Sequence, residues 1–189
     1  MASDVAERIS LAVAPAVIAR EIEVPGACVR LRTSVDTDAA FLFDLFRATR
    51  SGILRLGGLP DAMIDNLLTM QYRARSQGYR DRFPGARWLV VETADGPIGE
   101  LVEHDEADAV YIVDIALLPD QQQRGIGSAL VRSVMAKAAA HGGVRALVMA
   151  TNEASLRMFR RLSFRETGDN DAAGHVELRW QPSDTATQP

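Results

Sequence analysis

Apolar and polar positions along this chain switch repeatedly between a two-residue and a three-to-four-residue rhythm, so strands and helices are expected to alternate. ACVRLR from Ala27 to Arg32 alternates and predicts the first strand. Ser34 is placed to cap a helix from Val35 to about Thr49, with Phe41, Leu42, Leu45 and Phe46 on its buried stripe. Gly52 to Gly58 reads as a loop or short turn. Pro60 opens a second helix to about Gln77, where Gly78 suits a stop. A three-strand meander is expected at Trp88–Thr93, Pro97–His104 and Ala109–Leu118, with turns at Ala94–Gly96 and Asp105–Asp108. A helix from Gly127 to about Ala140 follows, then a strand at Arg145–Ala150 and a helix from Asn152 to about Leu162. Phe164–Thr167 and His175–Gln181 are the last two predicted strands.

The stretch YIVDIALLPDQQQRGIGSALVRSVM, Tyr111 to Met135, organises the rest. Its first part is nearly all apolar, as in a strand covered on both faces, with Asp114 as its one charge. Pro119 closes the strand because it has no backbone donor. A polar loop with two glycines then enters a helix whose stripe is Ile126, Leu130 and Val134. Free N–H groups and the dipole at such a helix start attract anions. Gly125 and Gly127 keep Cβ atoms out of the way, and Arg124 adds a guanidinium suited to phosphate. Without Gly-Lys-Ser/Thr the loop is no P-loop, and without a third glycine it is no dinucleotide fingerprint. The competing reading is a turn whose glycines serve packing alone.

The loop reads Gln122-Gln123-Arg124-Gly125-Ile126-Gly127, a match to Gln/Arg-x-x-Gly-x-Gly/Ala. With Asp114-Ile115-Ala116-Leu117-Leu118-Pro119 before it, it resembles the acetyl-CoA pyrophosphate loop of GCN5-related N-acetyltransferases, the GNAT superfamily. A second motif follows 25 residues after Gly127, the family's usual gap. The family has Asn-x-x-Ala-x-x-x-Tyr-x-x-x-Gly-Phe, and this chain has Asn152, Ser155, Phe159, Ser163 and Phe164 at those positions. The resemblance spans about residues 29–181.

It implies an α/β (α+β) acyl-CoA N-acyltransferase fold. This is a mixed, mostly antiparallel seven-stranded sheet flanked by about four helices, splayed between the strands at 109–118 and 145–150. It also implies that acetyl-CoA is the co-substrate. The residues implied to hold it are Ile115, Ala116 and Leu117 on the strand, Gln122, Gln123, Arg124, Gly125, Ile126, Gly127 and Ser128 in the loop and helix start, and Asn152, Ser155 and Phe159 in the second motif. Asn152 serves equally as a helix cap. A tyrosine commonly stands where this chain has Phe159, placed to protonate the departing thiolate, and phenylalanine has no proton to give. Ser163 replaces a glycine where the backbone prefers φ > 0.

The implied activity is acetyl transfer to a primary amine by direct attack in a ternary complex. The alternative is an acetyl-CoA-binding sensor with weak or no turnover, which Phe159 motivates. The carbonyl is expected to be polarised by a strand amide near Ile115. Asp114 and Tyr111 are the catalytic candidates, with Glu100 and Glu103 also near the gap. Asp114 is equally a structural carboxylate bonding a helix or loop. Simple alternation places Asp114 and Tyr111 on opposite faces. Tyr72, Tyr79 and His104 are candidate liners of the acceptor pocket, or equally ordinary packing or surface residues. Arg157, Arg160 and Arg161 offer a basic face for the CoA 3′-phosphate, or only for solvent.

The 189 residues suit one domain at 28–182, preceded by an extension at 1–27 and followed by a disordered tail at 183–189. The apolar run Ser10–Ala19 is too short to span a bilayer. A net charge of −4 argues against a nucleic-acid surface. A lone cysteine, Cys28, forms no internal disulfide and points to a cytoplasmic setting. No metal is expected. The acceptor is a small-molecule or protein amine, and a homodimer is common in the family.

Overall fold

The computed structural model describes residues 17–24, 27–56, 58–140, 142–170 and 174–182. Eight strands form one sheet in the order β1-β2-β3-β4-β5-β6-β8-β7. They are β1 (Ile18–Val24), β2 (Ala27–Thr33), β3 (Arg87–Thr93), β4 (Gly96–Asp105), β5 (Val110–Leu117), β6 (Val144–Met149), β7 (Arg165–Asn170) and β8 (His175–Trp180). The helices are α1 (Ala39–Leu56), α2 (Asp61–Arg82), α3 (Ile126–Ala138) and α4 (Glu153–Arg161). Among the described strands only β5 and β6 pair in parallel, with α3 as the crossover between them. The expected mixed sheet and four helices are present, with one strand more than the seven foreseen.

That extra strand is β1. Residues 18–24 fall in the segment expected to be an extension outside the core, yet they pair antiparallel with β2 from Ile18↔Arg32 to Val24↔Ala27. Glu21 and Glu23 face solvent, while Ile22 packs against the core and Val24 is buried in it. The remaining predicted segments at 1–16 and 183–189 lie outside the described residues.

Three boundaries also differ. A 3-10 turn at Asp36–Asp38 precedes α1, and Asp38 rather than Ser34 satisfies the entry, its carboxylate accepting from the Val35 N–H at 2.9 Å. Helix α1 continues to Leu56 across the expected loop. The spacing Leu45, Thr49, Ile53, Leu56 keeps a helical period, and one glycine costs a helix only about 1 kcal/mol. Helix α2 likewise runs past Gly78 to Arg82. Tyr79 packs beside Trp88 at 6.2 Å there, so tertiary contact outweighs the glycine.

Two layers cover the sheet. On one face, Ile126, Leu130, Val131 and Val134 of α3 pack with Leu101, Ile112 and Leu117, joined by Leu156 and Phe159 of α4. Each such side chain contributes about 1.5–3 kcal/mol on burial. On the other face lie α1 and α2, whose own cluster is Phe46, Ile64, Leu68 and Tyr72. Gly99 is needed where β4 meets β5, because a Cβ there would stand 2.5 Å from the Ala116 carbonyl oxygen.

Candidate active site

The site begins where β5 and β6 part. They pair only through Val110↔Val144, Tyr111↔Arg145 and Ile112↔Ala146. Beyond Ala146, β6 stays with β8, from Leu147↔Glu177 to Met149↔His175. Strand β5 stays with β4 as far as Leu117↔Gly99. The parting coincides with a bulge. Val102 is opposite Asp114 while the next residue, Glu103, is opposite Ile112, so Val113 is an extra residue on β5. A bulge of this kind bends its strand and increases its twist. The stretch 113–117 therefore runs without a strand on its β6 side, and backbone groups there are left to pair with something else.

The loop closes one end of this gap. The Leu118 N–H donates to the Ile98 carbonyl at 2.9 Å, and Pro119–Gln121 form a 3-10 turn. Gln122 Nε2 donates to the Leu117 carbonyl at 3.0 Å, pinning the loop to β5. Gln123 (φ 59) and Gly125 (φ 84) take left-handed conformations, and successive turns of this sort gather N–H groups into an anion-binding nest. Gly125 is the N-cap of α3, and no side chain caps it. The N–H groups at the start of a 13-residue helix therefore face outward beside exposed Arg124, whose guanidinium rests on Gln121 at 2.9 Å. The donor set suits a diphosphate: left-handed turns at Gln123 and Gly125, an uncapped helix start and the Arg124 guanidinium follow one another along the chain. A Cβ at Gly127 would meet Met158 Sδ at 3.3 Å, so this glycine lets α4 approach the start of α3. Ile126 is buried, so its side chain anchors the helix and only its backbone is free to bind. Ile115, Ala116 and Ser128 are half-buried.

In the second motif, Asn152 caps α4, its Oδ1 accepting from the Ser155 N–H at 3.1 Å. Phe159 is 4 % exposed and packs edge-to-face on Phe164, centroids 4.9 Å apart. Its ring thus belongs to the core. Ser163 has φ 66, the left-handed backbone that the replaced glycine would favour. Of the three arginines on α4, Arg157 pairs with Glu153 at 3.0 Å and Arg160 with Glu166 at 2.5 Å.

The face under α1 and α2 carries the titratable groups. Because Val113 is inserted, Asp114 and Tyr111 share that face, against the simple alternation. On β4 their partners are Val102 and His104, which lie two residues apart and so point the same way. Arg75 of α2 joins two carboxylates: its Nε donates to Asp114 at 2.9 Å, its Nη2 donates to Glu100 at 2.7 Å and also to Asp114. Burial disfavours the Arg75 charge, but Asp114 and Glu100 outweigh it and push the guanidinium further up. Burial pushes the Glu100 carboxyl above its ordinary value while Arg75 pulls the other way. The Glu100 side chain is 4 % exposed and that of Asp114 20 %, so water reaches Asp114 more readily. Tyr79 lies 5.0 Å from the Arg75 guanidinium, and burial raises its hydroxyl. Tyr72 packs edge-on to Phe43 and Phe46.

Tyr111 sits elsewhere on the same face, at the closed end of β5. Its ring stacks on Phe83 at 5.0 Å, and His104 also lies on Phe83 at 5.6 Å. Burial pushes the Tyr111 hydroxyl to about 12. Glu103 is on the opposite face, where Arg20 and Arg87 each reach its Oε1 at 2.8 Å. Asp114 and Glu100 are thus brought together, and Tyr111 and Glu103 are not with them. Sequence reasoning missed Arg75. It lies in a helix with Arg73, Arg80 and Arg82, a run that reads as a solvated basic face. No helix among the described residues is long and apolar enough to cross a membrane, and no group among them has the makings of a metal site.

The profile of the acetyltransferase (GNAT) family matches residues 61–164. That is more than half of the sequence, and the chain belongs to this family. Its architecture is the acyl-CoA N-acyltransferase fold. An acetyltransferase from Thermus thermophilus superposes with a TM-score of 0.61 at 16% identity, covering 86% of this chain and 99% of that one. The PaiA N-acetyltransferase of Thermoplasma acidophilum, solved with coenzyme A, gives 0.57 at 13% identity over 81% and 98%. Mycobacterium smegmatis RimJ, in complex with CoA-disulfide, gives 0.57 at 19% identity over 87% of each chain. At these identities the likeness is one of fold. No curated protein matches the sequence.

Proposed function

We propose that this acetyltransferase moves an acetyl group from acetyl-CoA to a primary amine, by direct attack with both substrates bound. The observation that carries the reading is the parting of β5 from β6 next to an uncapped α3. An extended arm with amides fits the first, and a diphosphate fits the second. The fold neighbours solved with coenzyme A or its disulfide support the same cofactor. Bound acetyl-CoA would supply an activated acyl carbonyl and a stable thiolate leaving group.

The chain's own residues would divide the work as follows. The N–H groups from Gly125 to Ser128, with Arg124, hold the diphosphate. Gln122 and Gln123 shape the loop that presents them. Backbone groups of Ile115 and Leu117 pair with the extended arm, Ala116 between them being turned to β4, and an amide near Ile115 donates to the acyl oxygen. Asp114 takes a proton from the acceptor ammonium through water, being the more water-accessible carboxylate. Glu100 holds Arg75, which in turn fixes Asp114. Asn152 is spent on capping α4, with its amide nitrogen left to bond the cofactor.

A second reading, an acetyl-CoA sensor without turnover, is favoured by one observation: Phe159 offers no hydroxyl and is packed into the core. Calorimetry with acetyl-CoA and with CoA, followed by thiol release over an amine panel, separates the readings. Micromolar binding with turnover supports transfer, and binding without turnover supports the sensor. A folded protein that binds neither ligand defeats both.

A further inference from the structure

Arg50, on α1, is half-buried, and its guanidinium lies 4.1 Å above the Phe46 ring. The Arg75 guanidinium is 5.8 Å from the same ring, so the two cations flank one aromatic side chain. Arg75 is matched by Glu100 and Asp114. Elsewhere Arg20 meets Glu103, Arg32 meets Asp38, and Arg145 meets Glu177. Arg50 has the Thr49 hydroxyl at 3.3 Å and no carboxylate within ion-pair reach among the described residues. Burial works against its charge first, and Arg75 adds to this, whereas Asp114 and Glu100 favour it. A desolvated guanidinium without a close anion is costly unless something supplies one.

We infer that Arg50 receives the carboxylate of the acceptor, so that the acceptor is an amino acid-like zwitterion with its ammonium group at Asp114. The inference deepens the acetyl-transfer reading and rests on its placing the acceptor beside Asp114. Charge balance supports it. Two cations, Arg50 and Arg75, share the Phe46 ring, and Arg75 holds two anions, Glu100 and Asp114, so a net-neutral guest leaves the group balanced. A single guanidinium neutralises one carboxylate in bidentate geometry, while a phosphate dianion would leave a second negative charge near Glu100 and Asp114. A polyamine would place a second cation against Arg50.

The test compares free α-amino acids with the matching amino-acid amides as acceptors, by thiol release. Acetyl-CoA calorimetry is run in parallel on wild type, Arg50→Gln and Arg50→Lys. The amides are the less basic, more readily neutral amines, so a preference for the acids reports binding of the carboxylate. The wild type is expected to favour acids at least ten-fold in kcat/KM. Arg50→Gln is expected to erase that ratio by raising KM for the acids, and Arg50→Lys to keep part of it, with acetyl-CoA affinity unchanged in both. Equal use of acids and amides overturns the inference, as does an equal loss on both in Arg50→Gln. Tight acetyl-CoA binding without turnover of any free acid also overturns it, while leaving the cofactor reading intact. Absence of acetyl-CoA binding by the wild type removes both readings.

Discussion

Tyr111 and Asp114 stand three places apart on β5 yet face the same layer of helices, because Val113 is an extra residue opposite the Val102–Glu103 step of β4. The shared face does not make them a pair. Asp114 is held by Arg75, and Tyr111 is stacked on Phe83. Asp114→Asn is therefore expected to lower kcat/KM for the preferred amine about 100-fold or more while acetyl-CoA still binds. Thiol-release kinetics beside calorimetry check this. A loss confined to acetyl-CoA affinity would move the base elsewhere.

Arg75 bridges two carboxylates that are largely withdrawn from water. Arg75→Met strands both, and breaking a buried pair by removing one partner costs about 3–5 kcal/mol. Adding Glu100→Gln should return part of that loss, since one of the stranded charges is gone. Urea unfolding of the single and double variants measures both quantities. No recovery in the double variant would mean that Arg75 stabilises through its packing on Phe46 and Tyr79.

The chain has three tyrosines, and burial raises the hydroxyl of each, Tyr111 furthest, to about 12. A group whose folded value exceeds its unfolded value of about 10 lends stability that is complete below 10. That stability is lost as pH rises through the folded value. In an ultraviolet alkaline titration the tyrosines of the native protein should ionise above the ordinary value, Tyr111 last, near 12, with stability falling as each one ionises. A full tyrosine step at pH 10 in the folded protein would contradict the burial of all three rings.

Gly125→Glu places a side chain on a left-handed backbone and a negative charge in the nest. The strain costs about 1–2 kcal/mol, which a folded domain tolerates. Acetyl-CoA binding should disappear while circular dichroism is retained. Persistent micromolar binding would show the glycine loop to be a turn and nothing more.

Much of this arrangement was readable in the sequence where backbone demands and side-chain chemistry coincide. The run from Asp114 to Ser128 shows strand, stop and uncapped helix start together, and Asn152 marks the next cap. Strand β1 left a weaker trace, Ile22 and Val24 alternating with Glu21 and Glu23. The apolar run before it masked that rhythm. The Val113 bulge left none, because one inserted residue changes neither composition nor local propensity, and it still reverses which residues share a face. Arg75 and Arg50 were hidden for a different reason. Their significance comes from Glu100 and Asp114, which the sheet brings close only after folding.

The parting of β5 and β6 also gives the protein an internal reporter of occupancy. Alternate amides of a strand point toward opposite neighbours, so within 113–117 one set is held by β4 and the other faces the gap. Amide hydrogen exchange should separate these sets in the free protein, fast beside slow along a single central strand. An extended ligand in the gap acts as the missing strand and should slow the fast set selectively, without any change in secondary structure.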